Sequence, residues 1–302
     1  MQGLFSAPFT PMFDDGSLNL SKIPAYAEML IRDGVKGVFI CGTTGEGMML
    51  SLEERKQVAE AWIPFQAEDF AVMVHVGTNG YAESISLAQH AAEIGAYAIG
   101  SMASPFLPPC KASSLVDFCK KIADSVPNIP FYYYHIPSVS GSSASMKEFL
   151  TLAQDAIPTL AGIKFSHSNL MEMQQCLHFA NGKYDLFHGF DEYLLSGLAL
   201  GVKAAIGSTY NYMAPIYMAM IQAFETGNME RARELQYTSV KAIENLFEFG
   251  GIPTGKAIMR LKGLDVGPPR SPLQRLPEDA IETLKVRLDA LDIFASKEFL
   301  SQ

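Results

Sequence analysis

One lysine stands at the end of a short apolar run that is typical of a buried strand. Lys164 follows Ala161-Gly162-Ile163, and strand alternation places Lys164 and Ser166 on one side and the apolar Ile163 and Phe165 on the other. If the apolar pair faces helices, Lys164 points inward. A buried lysine is costly unless it is paired or neutral, and a neutral amine attacks carbonyl carbon. Two hypotheses stay open from position alone: a Schiff-base nucleophile, or a structural lysine paired with an acid such as Glu46.

An aromatic run forms the preceding candidate strand. It reads Phe131-Tyr132-Tyr133-Tyr134-His135-Ile136-Pro137, and Tyr134 lies at its end, so its hydroxyl can lie beside Lys164. A tyrosine hydroxyl held next to a Schiff base can transfer protons. The alternative, strand packing, suits Tyr132 and Tyr133 better than Tyr134.

A glycine-rich turn, Cys41-Gly42-Thr43-Thr44-Gly45-Glu46-Gly47, follows an earlier apolar run. Glycines let backbone N–H groups approach a small anion, and Thr43 and Thr44 add hydroxyl donors. A carboxylate fits this turn better than a phosphate, because no Walker-type Gly-Lys-Ser/Thr sequence follows.

Two further segments carry acceptors for sugar hydroxyls. Asp191 and Glu192 follow a backbone left open at Gly189, and Ser208 ends the last apolar run. The alternative is that both acids cap the next helix, whose N-terminus favours negative charge. A metal site is disfavoured, because no histidine pair has ligand spacing. The other histidines are interpreted as structural or surface residues: His75, His90, His135, His167 and His178.

These candidates lie at one end of a regular series of elements. Short apolar runs alternate with amphipathic stretches, which favours buried parallel strands connected by helices. About eight such units predict a closed (β/α)8 TIM barrel, whose chemistry gathers where the strands end. The predicted strands are Gly3–Thr10, Gly37–Cys41, Ala71–Val76, Ala96–Ala103, Pro130–Tyr134, Ala161–Phe165, Asp185–Phe190 and Ala204–Ser208.

The pattern becomes wholly helical after the last predicted strand. Helices are predicted for Ala214–Thr226, Met229–Phe249, Thr254–Leu264 and Pro277–Phe294. We expect the first to close the barrel, so residues 1–225 form the catalytic barrel domain. Residues 226–302 form a helical extension packed on it.

Bulk properties limit the partners and the compartment. The formal net charge of −9 leaves no basic surplus for nucleic acid. No segment approaches the roughly 18 apolar residues of a membrane span. The four cysteines form no CxxC pair, and the N-terminus has no signal-peptide pattern. We expect a cytoplasmic protein with no membrane partner.

Together, Gly42-Thr43-Thr44-Gly45-Glu46, Tyr134-x-x-Pro137 and Lys164 resemble the dihydrodipicolinate synthase / N-acetylneuraminate lyase family of pyruvate-dependent aldolases. The resemblance implies a (β/α)8 barrel, a homotetramer, Schiff-base chemistry and neither metal nor organic cofactor. By position, Lys164 is similar to the imine lysine and Tyr134 to the proton-transfer tyrosine. Thr43 and Thr44 are similar to the residues that bind the pyruvate carboxylate, and Thr44 is also a catalytic candidate. Ser166 is a further candidate for substrate binding.

Within the family, three segments favour the branch that cleaves sialic acid to N-acetylmannosamine and pyruvate. They are Gly189-Phe190-Asp191-Glu192, Gly207-Ser208-Thr209-Tyr210-Asn211 and Tyr134-His135-Ile136-Pro137. The resemblance implies sugar binding by Gly189, Asp191, Glu192 and Ser208. The synthase branch would place an arginine at Val139 to hold a second carboxylate, which valine cannot do.

One departure and two alternatives remain. The segment Pro105-Phe106-Leu107-Pro108-Pro109 lacks the tyrosine that some relatives extend into a neighbouring subunit, so a relay between subunits is in doubt. The alternatives are an aldolase for another 2-keto-3-deoxy sugar acid and a non-catalytic pyruvate-binding protein.

Overall fold

Eight parallel strands close into a barrel in sequence order, as the sequence predicts. A computed structural model describes residues 1–294 of the chain. The strands are β1 Gly3–Ser6, β2 Gly37–Ile40, β3 Ala71–His75, β4 Ala98–Met102, β5 Phe131–His135, β6 Leu160–Phe165, β7 Asp185–His188 and β8 Ala204–Gly207. Strand β1 pairs with β8 to complete the ring.

Twelve α-helices lie within the described residues. They are α1 Ile23–Arg32, α2 Leu52–Trp62, α3 Tyr81–Glu93, α4 Ala112–Ala123, α5 Pro137–Ser140, α6 Met146–Ala156, α7 Leu170–His178, α8 Leu194–Ala199, α9 Tyr210–Glu225, α10 Met229–Phe249, α11 Gly251–Leu261 and α12 Glu278–Asp289. Local sequence signals determine where several of these helices begin. Helix α2 begins at a capping box in which Ser51 and Glu54 bond each other's backbone N–H, as the sequence indicates.

Several element boundaries differ from the sequence predictions, and one short helix is new. Strand β1 ends at Ser6 instead of Thr10, and Pro8 just beyond it has no N–H for a ladder. The four-residue helix α5 was not predicted, and it begins at Pro137, whose fixed φ suits a first helical position. Helix α12 ends at Asp289 instead of Phe294.

Aromatic and apolar side chains fill the lower part of the barrel. Phe187 lies with its ring centroid 5.1 Å from Phe5 and 5.5 Å from Tyr132, both in edge-on contacts. Phe39 and Met73 belong to the same buried cluster. This packed layer fills the barrel below the carboxyl ends of the strands, and a cavity can form above it.

The helices after the barrel pack back onto it. Helix α10 contacts α9 and the turn that follows β7. The division of the chain after residue 225 remains a proposal. All four cysteines are free thiols. No helix within residues 1–294 is both long and apolar enough to cross a membrane.

Candidate active site

A cavity of about 310 Å³ opens at the carboxyl ends of the strands. It gathers every candidate residue that the sequence singles out. These are Thr43, Thr44, Tyr134, Lys164, Ser166, Gly189, Asp191, Glu192 and Ser208. The roles of these residues are proposals, but their convergence on one cavity follows directly from the barrel topology.

Lys164 projects into this cavity from β6 and is 5% exposed. Its ammonium nitrogen lies 4.1 Å from the ring centroid of Tyr134 and 4.7 Å from that of Phe39. Within residues 1–294, no carboxylate forms an ion pair with it. Glu46 pairs instead with Lys256, at 2.8 Å. The structural-lysine hypothesis, with Glu46 as the partner, is therefore wrong, and the amine faces open space.

Tyr134 is the direct neighbour of Lys164 in the sheet, because β5 and β6 pair in register at these two residues. Its hydroxyl oxygen lies 3.4 Å from Oγ1 of Thr43. The ring makes edge-on contacts with Phe39 and His75, with centroids 5.5 and 5.8 Å away. The ring is thus fixed while the hydroxyl stays in the cavity, which suits proton transfer.

Behind Tyr134, His75 and Arg55 form a buried polar pair that the sequence analysis missed. Arg55 donates to the carbonyls of His75 and Gly77, at 2.5 and 2.9 Å. Burial holds the pKa of His75 well below its ordinary value, and the charges of Arg55 and Lys164 lower it further. His75 is therefore neutral at pH 7 and adds no positive charge beneath Lys164.

The turn with Thr43 and Thr44 is held from below by Glu46. The backbone of Glu46 has a positive φ of 55°, which is rare for a residue with a side chain. Its carboxylate pairs with Lys256 and accepts the backbone N–H of Arg270 at 2.6 Å. The C-terminal helices thus fix the turn that we expect to bind a carboxylate.

The buried pair of Glu46 and Lys256 has a large expected effect on stability. Lys256 also donates to the carbonyls of Thr10 and Pro268, at 2.9 and 2.8 Å. Lys256→Met leaves the Glu46 charge buried without its partner, so the free energy of unfolding should fall by about 3–5 kcal/mol. Urea denaturation measures this loss.

A surface pair on the same helix is the matched control. Arg260 bonds Glu278 at 3.0 Å with both side chains largely exposed, so Arg260→Met should leave the urea midpoint unchanged. The double change Glu46→Gln with Lys256→Met should recover part of the loss. Equal midpoints for Lys256→Met and Arg260→Met would contradict a stabilising buried pair.

Asp191 lies at the cavity wall with its carboxylate bound to the chain. Its Oδ2 accepts the N–H of Thr209 at 2.8 Å and the Thr209 hydroxyl at 2.6 Å. It therefore caps α9 rather than the helix that directly follows it. A Cβ at Gly207 would lie 1.7 Å from the Asp191 carboxylate, so this approach requires glycine. Burial raises the pKa of Asp191, against the lowering effect of Thr209.

Glu192 is the other acid; it lines the cavity, and its side chain bonds only its own backbone among the described residues. Burial raises its pKa, and the charge of Asp191 adds to that rise. Ser166, just after β6, packs against Gly189, where a Cβ would lie 2.0 Å from the Ser166 oxygen. Glu192, Ser166 and Ser208 are polar residues of the cavity lining.

Several lining residues were not among the sequence candidates. They include Ala7, Ser138, Ile206, Ile243, Leu246, Phe247 and Gly251. The last four belong to α10 and α11, and their sequence pattern is that of ordinary helix packing. Val139 does not line the cavity and is 42% exposed, so its short apolar side chain offers no contact to a second carboxylate there. No arginine lies among the lining residues within the described part of the chain.

Comparison with known proteins gives one consistent result. The profile of the Dihydrodipicolinate synthetase family matches residues 1–291. The human protein named N-acetylneuraminate lyase is 40% identical over 300 residues, which cover 98% of this chain and 94% of that protein.

Solved structures agree. Proteus mirabilis N-acetylneuraminate lyase superposes with a TM-score of 0.94 at 38% identity, covering 97% of this chain and 99% of that chain. The N-acetylneuraminate lyase (sialic acid aldolase) of Aliivibrio salmonicida superposes with a TM-score of 0.95 at 38% identity, covering 98% of each chain.

Proposed function

We propose that this chain, which belongs to the dihydrodipicolinate synthetase family, is a Schiff-base class I aldolase that reversibly cleaves N-acetylneuraminate to N-acetylmannosamine and pyruvate. One observation carries the proposal: the amine of Lys164 is buried beside Tyr134 and has no acidic partner among the described residues. The names of the similar proteins, at 38–40% identity over nearly the whole chain, support the substrate.

The cavity has two halves that match the two halves of the substrate. The Thr43–Thr44 turn lies beside Tyr134 and offers hydroxyl and backbone donors to a carboxylate. Gly189, Glu192 and Ser208 come from the ends of β7 and β8 and offer acceptors to sugar hydroxyls. Lys164, on β6 between Tyr134 on β5 and the end of β7, can reach the carbonyl carbon that joins the two halves.

The reaction begins with the open-chain keto form. The Lys164 nitrogen adds to C2, and loss of water leaves a protonated imine. Tyr134 and the hydroxyl of Thr44 transfer the proton from the C4 hydroxyl, and the C3–C4 bond breaks as its electrons move into the imine. N-acetylmannosamine leaves as the aldehyde. The remaining enamine takes a proton at C3, and water releases pyruvate from Lys164. The protonated imine is the electron sink, so the bond cleavage requires no metal.

Product detection tests the substrate. N-acetylneuraminate should give stoichiometric pyruvate and N-acetylmannosamine, identified by chromatography and mass spectrometry. A panel of other 2-keto-3-deoxy sugar acids is the comparison. Preference for a different member of that panel would retain the aldolase but replace its substrate. Absence of cleavage for the whole panel would favour a pyruvate-binding protein.

Glu192 and Asp191 should behave differently on substitution. Glu192→Gln removes a negative charge from the cavity lining, so kcat/KM for N-acetylneuraminate should fall roughly 5- to 150-fold, which corresponds to a loss of about 1–3 kcal/mol of transition-state stabilisation. Pyruvate should still form its Lys164 adduct. Asp191→Asn disturbs the cap of α9 and should also lower the thermal midpoint. Unchanged cleavage in Glu192→Gln would remove Glu192 from sugar selection.

We also propose a cytoplasmic homotetramer, as the family resemblance implies. The exposed Phe106 and Leu107, at 79% and 77%, support a subunit interface at the segment after β4. Light scattering with size-exclusion chromatography checks the state, and Phe106→Ser should shift it towards smaller species.

A further inference from the structure

We propose that His135, His167 and Glu172 form a Zn²⁺ site on the helix-facing side of β5 and β6, outside the substrate cavity. One ligand atom from each of the three residues lies within 4.8 Å of the other two. His135 ends β5, His167 lies in the turn after β6, and Glu172 lies on α7. His135 and His167 alternate with Tyr134 and Ser166, which line the cavity, so the cluster lies on the other side of the strands.

Two nitrogen atoms in the cluster are available to a metal. Nε2 of His135 and Nδ1 of His167 are buried, and neither has a hydrogen-bond partner among the described residues. His135 is 3% exposed, and buried polar atoms are normally paired. The two rings meet edge-on with centroids 5.3 Å apart. Unpaired buried nitrogens are costly without a ligand, and neutral imidazole is the form that binds metal.

Glu172 completes the donor set and is already oriented. One carboxylate oxygen accepts the N–H of Met146 at 2.7 Å, which fixes the group and leaves the other oxygen free. Such hydrogen bonds to ligands are usual at metal sites. Two histidines, a glutamate and a water are a common tetrahedral set for Zn²⁺. Bonds of about 2.0–2.1 Å place ligand atoms about 3.3 Å apart. The present separations are within 4.8 Å, so side-chain rotations must shorten them by at most about 1.5 Å.

The site would act on stability and not on the chemistry at Lys164. Zn²⁺ would connect the ends of β5 and β6 to α7, and these strand ends carry Tyr134 and Lys164. A ligand that binds only the folded chain stabilises it. Because the cluster lies outside the cavity, a metal bound there would not contact the imine.

Zinc binding and melting temperature test the site directly. The full chain is stripped with a chelator and then dialysed against Zn²⁺ alone at micromolar concentration. We expect one zinc per chain by elemental analysis and a rise of several degrees in melting temperature. Glu172→Gln, which keeps an acceptor for Met146, and His167→Gln should each weaken binding more than about tenfold. Co²⁺ should give the visible absorption of a tetrahedral site in the wild type only.

Matched controls separate this site from adventitious binding. His178→Gln changes an exposed histidine on the same helix α7, and Cys110→Ser removes the exposed thiol. Both should retain the zinc and the rise in melting temperature. Zinc binding that is absent in the wild type, or equal in the wild type, Glu172→Gln and His167→Gln, would overturn the proposal. Cleavage of N-acetylneuraminate is measured separately, so failure of the zinc site leaves the aldolase assignment untouched.

Discussion

Pyruvate with borohydride should inactivate the protein and leave a reduced pyruvyl group on the peptide that contains Lys164. Lys164 is the residue in the cavity with a buried amine that has open space in front of it. The rings of Tyr134 and Phe39 lie against the Lys164 nitrogen, so a small keto acid reaches this nitrogen from the cavity side. Reduction fixes the imine as a stable secondary amine, and mass spectrometry of the digested chain locates it.

The variant Lys164→Met should lose the adduct and at least about 10⁴-fold in kcat, the scale found when a nucleophile is removed. Methionine has a similar length and suits the aromatic surroundings, so the fold should remain. Lys203→Met is the control, because Lys203 is exposed and precedes β8 at the opposite end of the barrel. A label on another lysine, or normal turnover in Lys164→Met, would remove Lys164 from the mechanism.

Many residues of this cavity could be predicted from the sequence, because in a barrel the order of the strands along the chain determines which residues are neighbours in space. Strand periodicity placed Lys164 inward, and the sequence-order topology made Tyr134 its neighbour. Residues at the ends of the strands then meet at one face, whatever their separation along the chain. The glycine-rich turn with Thr43 and Thr44 also follows the end of a strand, so it reaches the same face.

Contacts across the chain were not predictable in this way. Lys256 lies in an ordinary amphipathic helix, and nothing in its local sequence indicates that it reaches Glu46. Asp191 has the position of a cap for the next helix, yet it caps α9, because Gly207 leaves room for its carboxylate. Such contacts depend on how separate elements pack, which periodicity does not encode.

The histidine cluster shows the same limit at a candidate metal site. The sequence pattern disfavours a metal, because no pair of histidines has ligand spacing along the chain. His135 and His167 are neighbours only because β5 and β6 pair, and Glu172 reaches them from the next helix. A search across adjacent strand ends would have found the cluster.

The second large effect concerns Tyr134. Tyr134→Phe keeps the ring contacts with His75 and Phe39 and deletes only the hydroxyl near Thr43. Loss of a general acid–base group lowers kcat by roughly 10²–10⁴, and steady-state cleavage of N-acetylneuraminate measures it. The melting temperature should change little, because the packed ring remains.

Tyr133→Phe is the matched control for this experiment. Tyr133 is the preceding residue of β5 and packs against Phe149 on the helix side, with centroids 4.8 Å apart, so its change should leave kcat near the wild-type value. In Tyr134→Phe the pyruvate adduct should form more slowly but reach the same final extent, because binding rests on Lys164 and the Thr43–Thr44 turn. A kcat within a fewfold of the wild type would show that Tyr134 only packs beside Lys164, and proton transfer would then fall to Thr44 and the substrate carboxylate.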